Sequence, residues 1–333
     1  TQSTDTMAKT RFLPNFVKEL PKVPNKVFVI TGTTSGTGLI AARVVAQKGG
    51  EAVLLNRASS RVDKMLKTLR QEVPEGRFVP IECDLQDFRS VRKAIEEVKS
   101  RYSRIYCLAN NAGIAATPDK ATVDGYDTQM QTNHLSHFLL TAELYPLLEA
   151  EVAATGDARI VNHSSVGRLL TPNNGLEEKY FGPNGGNLGG NELKMLDGGC
   201  FHRYFQTKLA NSVFTYGLHN KLQSVNSNVR AVCAHPGGSD TNLGDHMKFE
   251  GIRGFIWKYL FPFMVQTAED GTMGLLKGMM HPGAQSGVLY GPKSGLFSTG
   301  LSGKAVPNPR KDFETDPAAI DMLWRTSEGA TVV

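Results

Sequence analysis

Between Lys26 and Val166 the chain alternates between two kinds of pattern, and this alternation limits the folds open to it. Short apolar runs at VFVI (27–30), AVLL (52–55), FVPI (78–81), IYCLA (105–109) and RIVNHS (159–164) are separated by stretches with helical periodicity. Strands joined through helices run parallel, and a parallel sheet needs cover on both faces. Two later runs, VRAVCA (229–234) and GVLY (287–290), extend the pattern. The expected architecture is α/β, a single doubly wound domain of about seven parallel strands with helices on both faces. We assign residues 26–300 to it, with 1–25 and 301–333 as terminal extensions. No internal repeat is found.

One interval breaks the alternation. Between Gly167 and Cys200 the sequence is dense in Gly and Asn, which favour turns. Residues 168–200 read as an inserted loop, either a surface excursion or a substrate lid.

Hydrophobic residues at 40% and charged residues at 21% exclude a disordered or fibrous chain. The net charge of +5 is not gathered into a like-charge block or basic helix, so no nucleic-acid partner is expected. No run of 18 apolar residues is present, and residues 1–24 lack the apolar core of a secretory signal. Cys83, Cys107 and Cys233 lie in or at the end of strand-like runs, where a thiol serves as a small buried hydrophobe. A reducing intracellular compartment is expected, with cytoplasm, plastid and mitochondrion left open.

The first apolar run leads into TGTTSGTG (31–38) and then a helical pattern. Glycines at 32, 36 and 38 allow a tight strand-to-helix turn whose amides and helix N-terminus face a pyrophosphate. Gly32, Ser35, Gly36, Thr37 and Gly38 are therefore candidate cofactor contacts. At the end of the second run, where an NAD-preferring dinucleotide fold has an acid, the chain has Asn56 and Arg57. An arginine there pairs with a 2′-phosphate, which favours NADP(H) over NAD(H). The other reading of Arg57 is a solvated surface arginine. Asp84 and Leu85 after the third run, and Asn110 to Gly113 (NNAG, with Asn111, Ala112 and Gly113), suit the adenosine side or are turns.

Tyr204 and Lys208, four residues apart in a helical pattern, share one helix face. A fixed ammonium near a phenol favours the phenolate, so Lys208 is expected to lower the pKa of Tyr204 and make it an acid/base for hydride chemistry. Ser165 closes the fifth run and is placed to bond a reacting oxygen. Asn133 is a candidate to hold a water beside Lys208. His134 and His137 read as structural, and no metal site is expected.

The ordered set TGTTSGTG, LANNAGI, DGYDTQMQTNHLSHFLLT, ARIVNHSSVG, YFQTKLANSVFTYGL and HPGGSDTNL resembles the short-chain dehydrogenase/reductase family, most closely its retinol dehydrogenase branch. The resemblance runs from about residue 26 to 243. It implies a Rossmann-like fold, a catalytic tetrad of Asn133, Ser165, Tyr204 and Lys208, and cofactor contacts at Pro236, Gly237 and Thr241 beside the nicotinamide and its phosphates. Arg57 stands where NADP-preferring members carry a basic residue. The interval from Ser165 to Tyr204 is longer than usual in the family, so the shape of the substrate mouth does not carry over. Retinol dehydrogenases commonly carry an N-terminal membrane anchor; residues 1–25 do not resemble one, so the location of that branch is not expected to carry over.

The light-dependent protochlorophyllide reductases form a second, partial likeness, through an insertion ending in LDGG, YLFPFMVQTAEDG and SGVLYGP. Gly238 and Ala210 replace two cysteines of that branch. A third reading is a structural subunit of a larger assembly. Residues 244–266 form the expected substrate-side segment. Within it, IRGFIWKYLFPFMV (252–265) reads as a lipophilic-substrate wall, a core helix or a membrane-interface helix. The expected partner is a small lipophilic substrate. Peripheral membrane or large-complex association and the oligomeric state stay open.

Overall fold

A computed structural model of the chain describes residues 10–183, 186–192, 194, 197–237, 266–294 and 301–332. Its strands are β1 (Val27–Thr31), β2 (Glu51–Asn56), β3 (Arg77–Glu82), β4 (Cys107–Asn110), β5 (Ala158–His163), β6 (Val229–Ala234), β7 (Leu289–Ser294) and β8 (Ser302–Asn308). They form one sheet in the order β3-β2-β1-β4-β5-β6-β7-β8. Pairings from β3 through β7 are parallel, and β8 runs antiparallel to β7. The order reverses between β1 and β4, and ligands of open α/β sheets bind outside the strand ends at such a reversal.

Successive strand residues point to opposite faces, and both faces are apolar. On one face Val29, Val53, Leu55 and Ile81 join the core with α4 (Phe88–Arg101), α6 (Ser136–Thr155) and α7 (Gly198–Ser224). Before α6 come a short helical turn, α5 (Thr128–Met130), and a π-helical turn, Gln131–Leu135. On the other face Phe28, Ile30, Ala52 and Leu54 meet α2 (Gly36–Gln47), α3 (Ser60–Glu72) and α9 (Met273–Met280). A four-residue helix, α8 (Ala268–Gly271), precedes α9. Cys83, Cys107 and Cys233 are free and buried, as expected of small hydrophobes, and Cys200 is free and buried as well.

The structure changes three expectations. Among the described residues the sheet has eight strands against the roughly seven expected, because the segment set apart as a C-terminal extension supplies β8 at its edge. The same segment supplies α10 (Asp312–Thr315) and α11 (Pro317–Thr331), and the Trp324 ring of α11 lies 5.3 Å from Phe214 on α7 and 5.6 Å from Phe138 on α6. At the other terminus the N–H groups of Arg11, Phe12 and Leu13, at the start of α1 (Leu13–Glu19), donate to the Asp270 carboxylate at 2.8–2.9 Å, a favourable place for an anion.

Third, 168–200 is not a structureless loop. It includes short 3₁₀ turns at Pro172–Asn174 and Glu178–Tyr180, and it buries Tyr180 and Phe181. Its end is already helix, since Asp197 caps α7 by accepting from the Gly198 N–H. The segment 252–265 and Thr241 lie outside the described residues. Among the described residues no helix is long and apolar enough to cross a membrane.

Candidate active site

The turn after β1 takes its shape from glycines that no other residue replaces without strain. Gly32 and Gly36 have φ of +70° and +57°, in the left-handed region. A Cβ on Gly38 would sit 2.2 Å from the Gly32 carbonyl oxygen, so α2 packs directly on the turn. Ser35 occupies the N-cap of α2, is exposed and makes no side-chain cap, which leaves the first amides of the helix open to an anionic ligand.

Polar side chains hold this turn from within, a role that sequence reasoning missed. Asn56 accepts from the Thr33 N–H at 2.8 Å and donates to its hydroxyl at 2.7 Å. Thr31 Oγ1 accepts from the backbone N–H of Asn111 (3.0 Å) and Ala112 (2.9 Å). The Asn111 side chain is engaged inside the protein. Its Nδ2 donates to the Thr31 carbonyl at 2.9 Å, and its Oδ1 accepts from the Thr37 hydroxyl at 2.8 Å and lies 3.0 Å from His163 Nδ1. Two candidate contacts, Thr37 and Asn111, thus brace the turn with their side chains. Asn110 bonds Thr141 and Asn162 in the core.

The remaining cofactor candidates sit at the same end of the sheet. Arg57, one residue past β2, is exposed and has no ion pair among the described residues. Asp84 is half-buried, with Oδ1 accepting from the Gln86 N–H at 2.9 Å, while Leu85 is buried and its carbonyl accepts from Ser136. After β6, Gly237 turns with φ of +72°, its N–H donates to His235 Nδ1, and the Pro236 carbonyl accepts from Gln266.

All four catalytic candidates converge. Tyr204 and Lys208 are buried on one face of α7. Ser165 caps the 3₁₀ turn Val166–Leu169 by accepting from the Gly167 N–H at 3.1 Å, which leaves its own hydrogen free to donate toward the neighbouring Tyr204 phenol. Asn133 lies in the π-helical turn, where Oδ1 accepts from the Ile114 N–H at 2.8 Å and Nδ2 donates to the Ile114 carbonyl and the Thr207 hydroxyl. Its Oδ1 keeps a second lone pair. A Cβ on Gly113 would come within 3.0 Å of Lys208 Nζ and 3.4 Å of Asn133 Oδ1, so these three residues meet.

The catalytic candidates connect to the glycine turn through His163 and Asn111. Lys208 Nζ donates to the His163 carbonyl at 3.1 Å, His163 Nδ1 meets Asn111 Oδ1, and Asn111 Nδ2 reaches the Gly32 carbonyl at 3.3 Å. Burial pushes the Tyr204 phenol up to about 12, opposed by the neighbouring Ser165 hydroxyl. Burial outweighs the lowering expected from Lys208. The Lys208 ammonium is 5.8 Å from the Tyr204 ring centroid and donates to His163 instead, so desolvation decides. Burial also holds Lys208 down to about 8. His134 and His137, read as structural, bond Ser327 and Thr31.

A family profile for short chain dehydrogenases matches residues 26–175. The chain is 31% identical over 297 residues to the short-chain dehydrogenase TIC 32 A, chloroplastic, of Brassica napus, covering 89% of this chain and 85% of that one. It is 30% identical over 308 residues to retinol dehydrogenase 12 of Homo sapiens, covering 92% and 86%. A crystal structure of an uncharacterized protein from Mycobacterium Paratuberculosis matches with a TM-score of 0.71 at 27% identity, covering 95% and 97%. With its parallel sheet and glycine turn, the chain belongs to the short-chain dehydrogenase/reductase family, a class of oxidoreductases. Its likeness to retinol dehydrogenases extends over most of its length.

Proposed function

We propose that the chain is an NADP(H)-dependent oxidoreductase that interconverts a carbonyl and an alcohol on a lipophilic molecule, retinoid-like, steroid-like or of similar apolar character. The observation that carries this reading is the convergence of Tyr204, Ser165, Lys208 and Asn133, hydrogen-bonded through His163 and Asn111 to the glycine turn. The site fits a dinucleotide phosphate cofactor. The first turn of α2 is open beside Ser35, and Arg57 is exposed and unpaired among the described residues. Asn56, at the position of an NAD-selecting acid, is neutral and engaged with Thr33.

A bound nicotinamide supplies or takes up the hydride. The residues of this chain manage the proton. A phenol with a pKa of about 12 is protonated at neutral pH, so Tyr204 is poised to donate to a carbonyl oxygen as it gains electrons. Ser165, its lone pair engaged by Gly167, donates to the same oxygen and stabilises the developing charge. Lys208, charged below about pH 8, supports the phenolate left behind, and Asn133 offers its free lone pair beside it.

Support for an apolar substrate comes from the wall beside Tyr204, where Phe201 and Phe205 pack with Ala115 and Ala116, and from the retinol dehydrogenase relative. The test is turnover of all-trans-retinal and a panel of ketosteroids with NADPH and with NADH. Tyr204→Phe is expected to lose at least ~100-fold in kcat, the scale of a general acid, while binding NADPH as before. Retained turnover in that variant removes the assignment.

A further inference from the structure

The C-terminal segment reaches the catalytic residues through one carboxylate. Glu314, on α10, is fully buried. Its Oε1 accepts from Arg168 Nε at 2.8 Å and from the Ser212 hydroxyl at 2.5 Å, and its Oε2 accepts from the Lys311 N–H at 2.9 Å. Arg168 is 3% exposed, and its Nη1 donates to the Ser165 carbonyl at 3.3 Å. It therefore grips the turn that Ser165 caps. Ser212 lies four residues beyond Lys208 and eight beyond Tyr204, on the same face of α7. A single oxygen atom joins the turn that carries Ser165 to the helix that carries Tyr204 and Lys208.

A brace of this kind has no need of charge. Apolar residues of the same volume hold buried elements together equally well or better, since ion pairs lose much of their attraction to desolvation. Charge-assisted hydrogen bonds do supply short, directional contacts that fix one geometry. We propose that Glu314 is a positioning residue for the oxidoreduction, setting the approach of the Ser165 hydroxyl to the Tyr204 phenol through Arg168 on one side and Ser212 on the other. This inference rests on the function proposed above. It also gives residues 301–332 a part in the chemistry, although none of their side chains is placed at the reacting atoms.

The test uses the full chain with 3-fluorotyrosine at position 204, whose ¹⁹F resonance reports phenol ionisation without any substrate. The variants are Glu314→Gln, Ser212→Ala and the apolar pair Arg168→Met with Glu314→Met, so the measurement survives if one fails to fold. Loosening the Ser165 donor is expected to raise the fluorotyrosine midpoint by at least about half a pH unit, because that donor favours the phenolate. With NADPH and all-trans-retinal, kcat is expected to fall about tenfold while KM for NADPH stays within about twofold. An unchanged midpoint in every variant that folds overturns the proposal. If the unaltered chain turns over no carbonyl, the functional reading fails, and the ¹⁹F midpoint alone decides the role of Glu314.

Discussion

Replacing Arg57 separates cofactor choice from chemistry, because the side chain is exposed and has no ion pair among the described residues. A charge-assisted bond to a 2′-phosphate contributes roughly 1.5–3 kcal/mol. Arg57→Ala is therefore expected to raise KM for NADPH about 10- to 100-fold and leave KM for NADH unchanged; equal effects on both cofactors would remove the phosphate from the account. The proton groups predict a pH profile. Tyr204, at about 12, stays protonated through the neutral range, so the group that titrates first is Lys208, at about 8. The reduction rate should be level below that value and fall as pH rises through it, when the ammonium is lost. A rate that climbs through pH 8 would show that Lys208 acts as a neutral amine.

At the scale of elements, the N-terminal part of α7 is fixed by a buried ion pair in its second turn. Arg203, next to Tyr204, donates to Asp127 at 2.8 Å and to the Thr117 carbonyl at 2.8 Å, with both charged side chains almost fully buried. Arg203→Met leaves Asp127 buried without its cation and is expected to cost about 3–5 kcal/mol in denaturant unfolding. A loss below 1 kcal/mol would mean that the carboxylate finds water.

The elements differ in how legible they were in the sequence. Strands β1, β2, β4 and β5 are buried on both faces, so they appear as apolar runs. β8 is an edge strand, largely half-buried and interrupted by Pro307, and a chain segment of that kind has no periodic signal. The glycine turn and the Tyr204–Lys208 pair stood out because each sets residue types at a short, fixed spacing, and the family resemblance joined Ser165 and Asn133 to them as candidates. The bracing roles of Asn111, Asn56 and Arg168 were not, because only the tertiary structure shows which polar side chains turn inward and what they meet.

For the whole molecule, buried histidines tie stability to pH. Burial holds His134, His163 and His235 down to about 3 and His137 to about 4, against an ordinary value of 6.5. Below 6.5 the unfolded chain takes up protons that the folded chain refuses, so stability falls as pH drops. Over the first pH unit below 6.5 each such histidine removes about 1 kcal/mol, approaching about 1.4 kcal/mol per unit further down, which makes roughly 4 kcal/mol between pH 6.5 and 5.5 for the four together. Thermal melts should show the midpoint falling steeply between pH 6.5 and 5.5, before most carboxylates titrate. A flat profile over that interval would mean that the imidazoles are protonated in the folded state.

The central claim is that hydride from a nicotinamide and a proton from Tyr204 reach the same carbonyl. The direct measurement supplies NADPH deuterated at nicotinamide C4, in each stereoisomer, together with all-trans-retinal, and analyses the alcohol by mass spectrometry. One deuterium at the carbinol carbon, from one stereoisomer only and at a rate that collapses in Tyr204→Phe, is the predicted result. Product without deuterium from either stereoisomer, or equal transfer by the Tyr204→Phe variant, would contradict it.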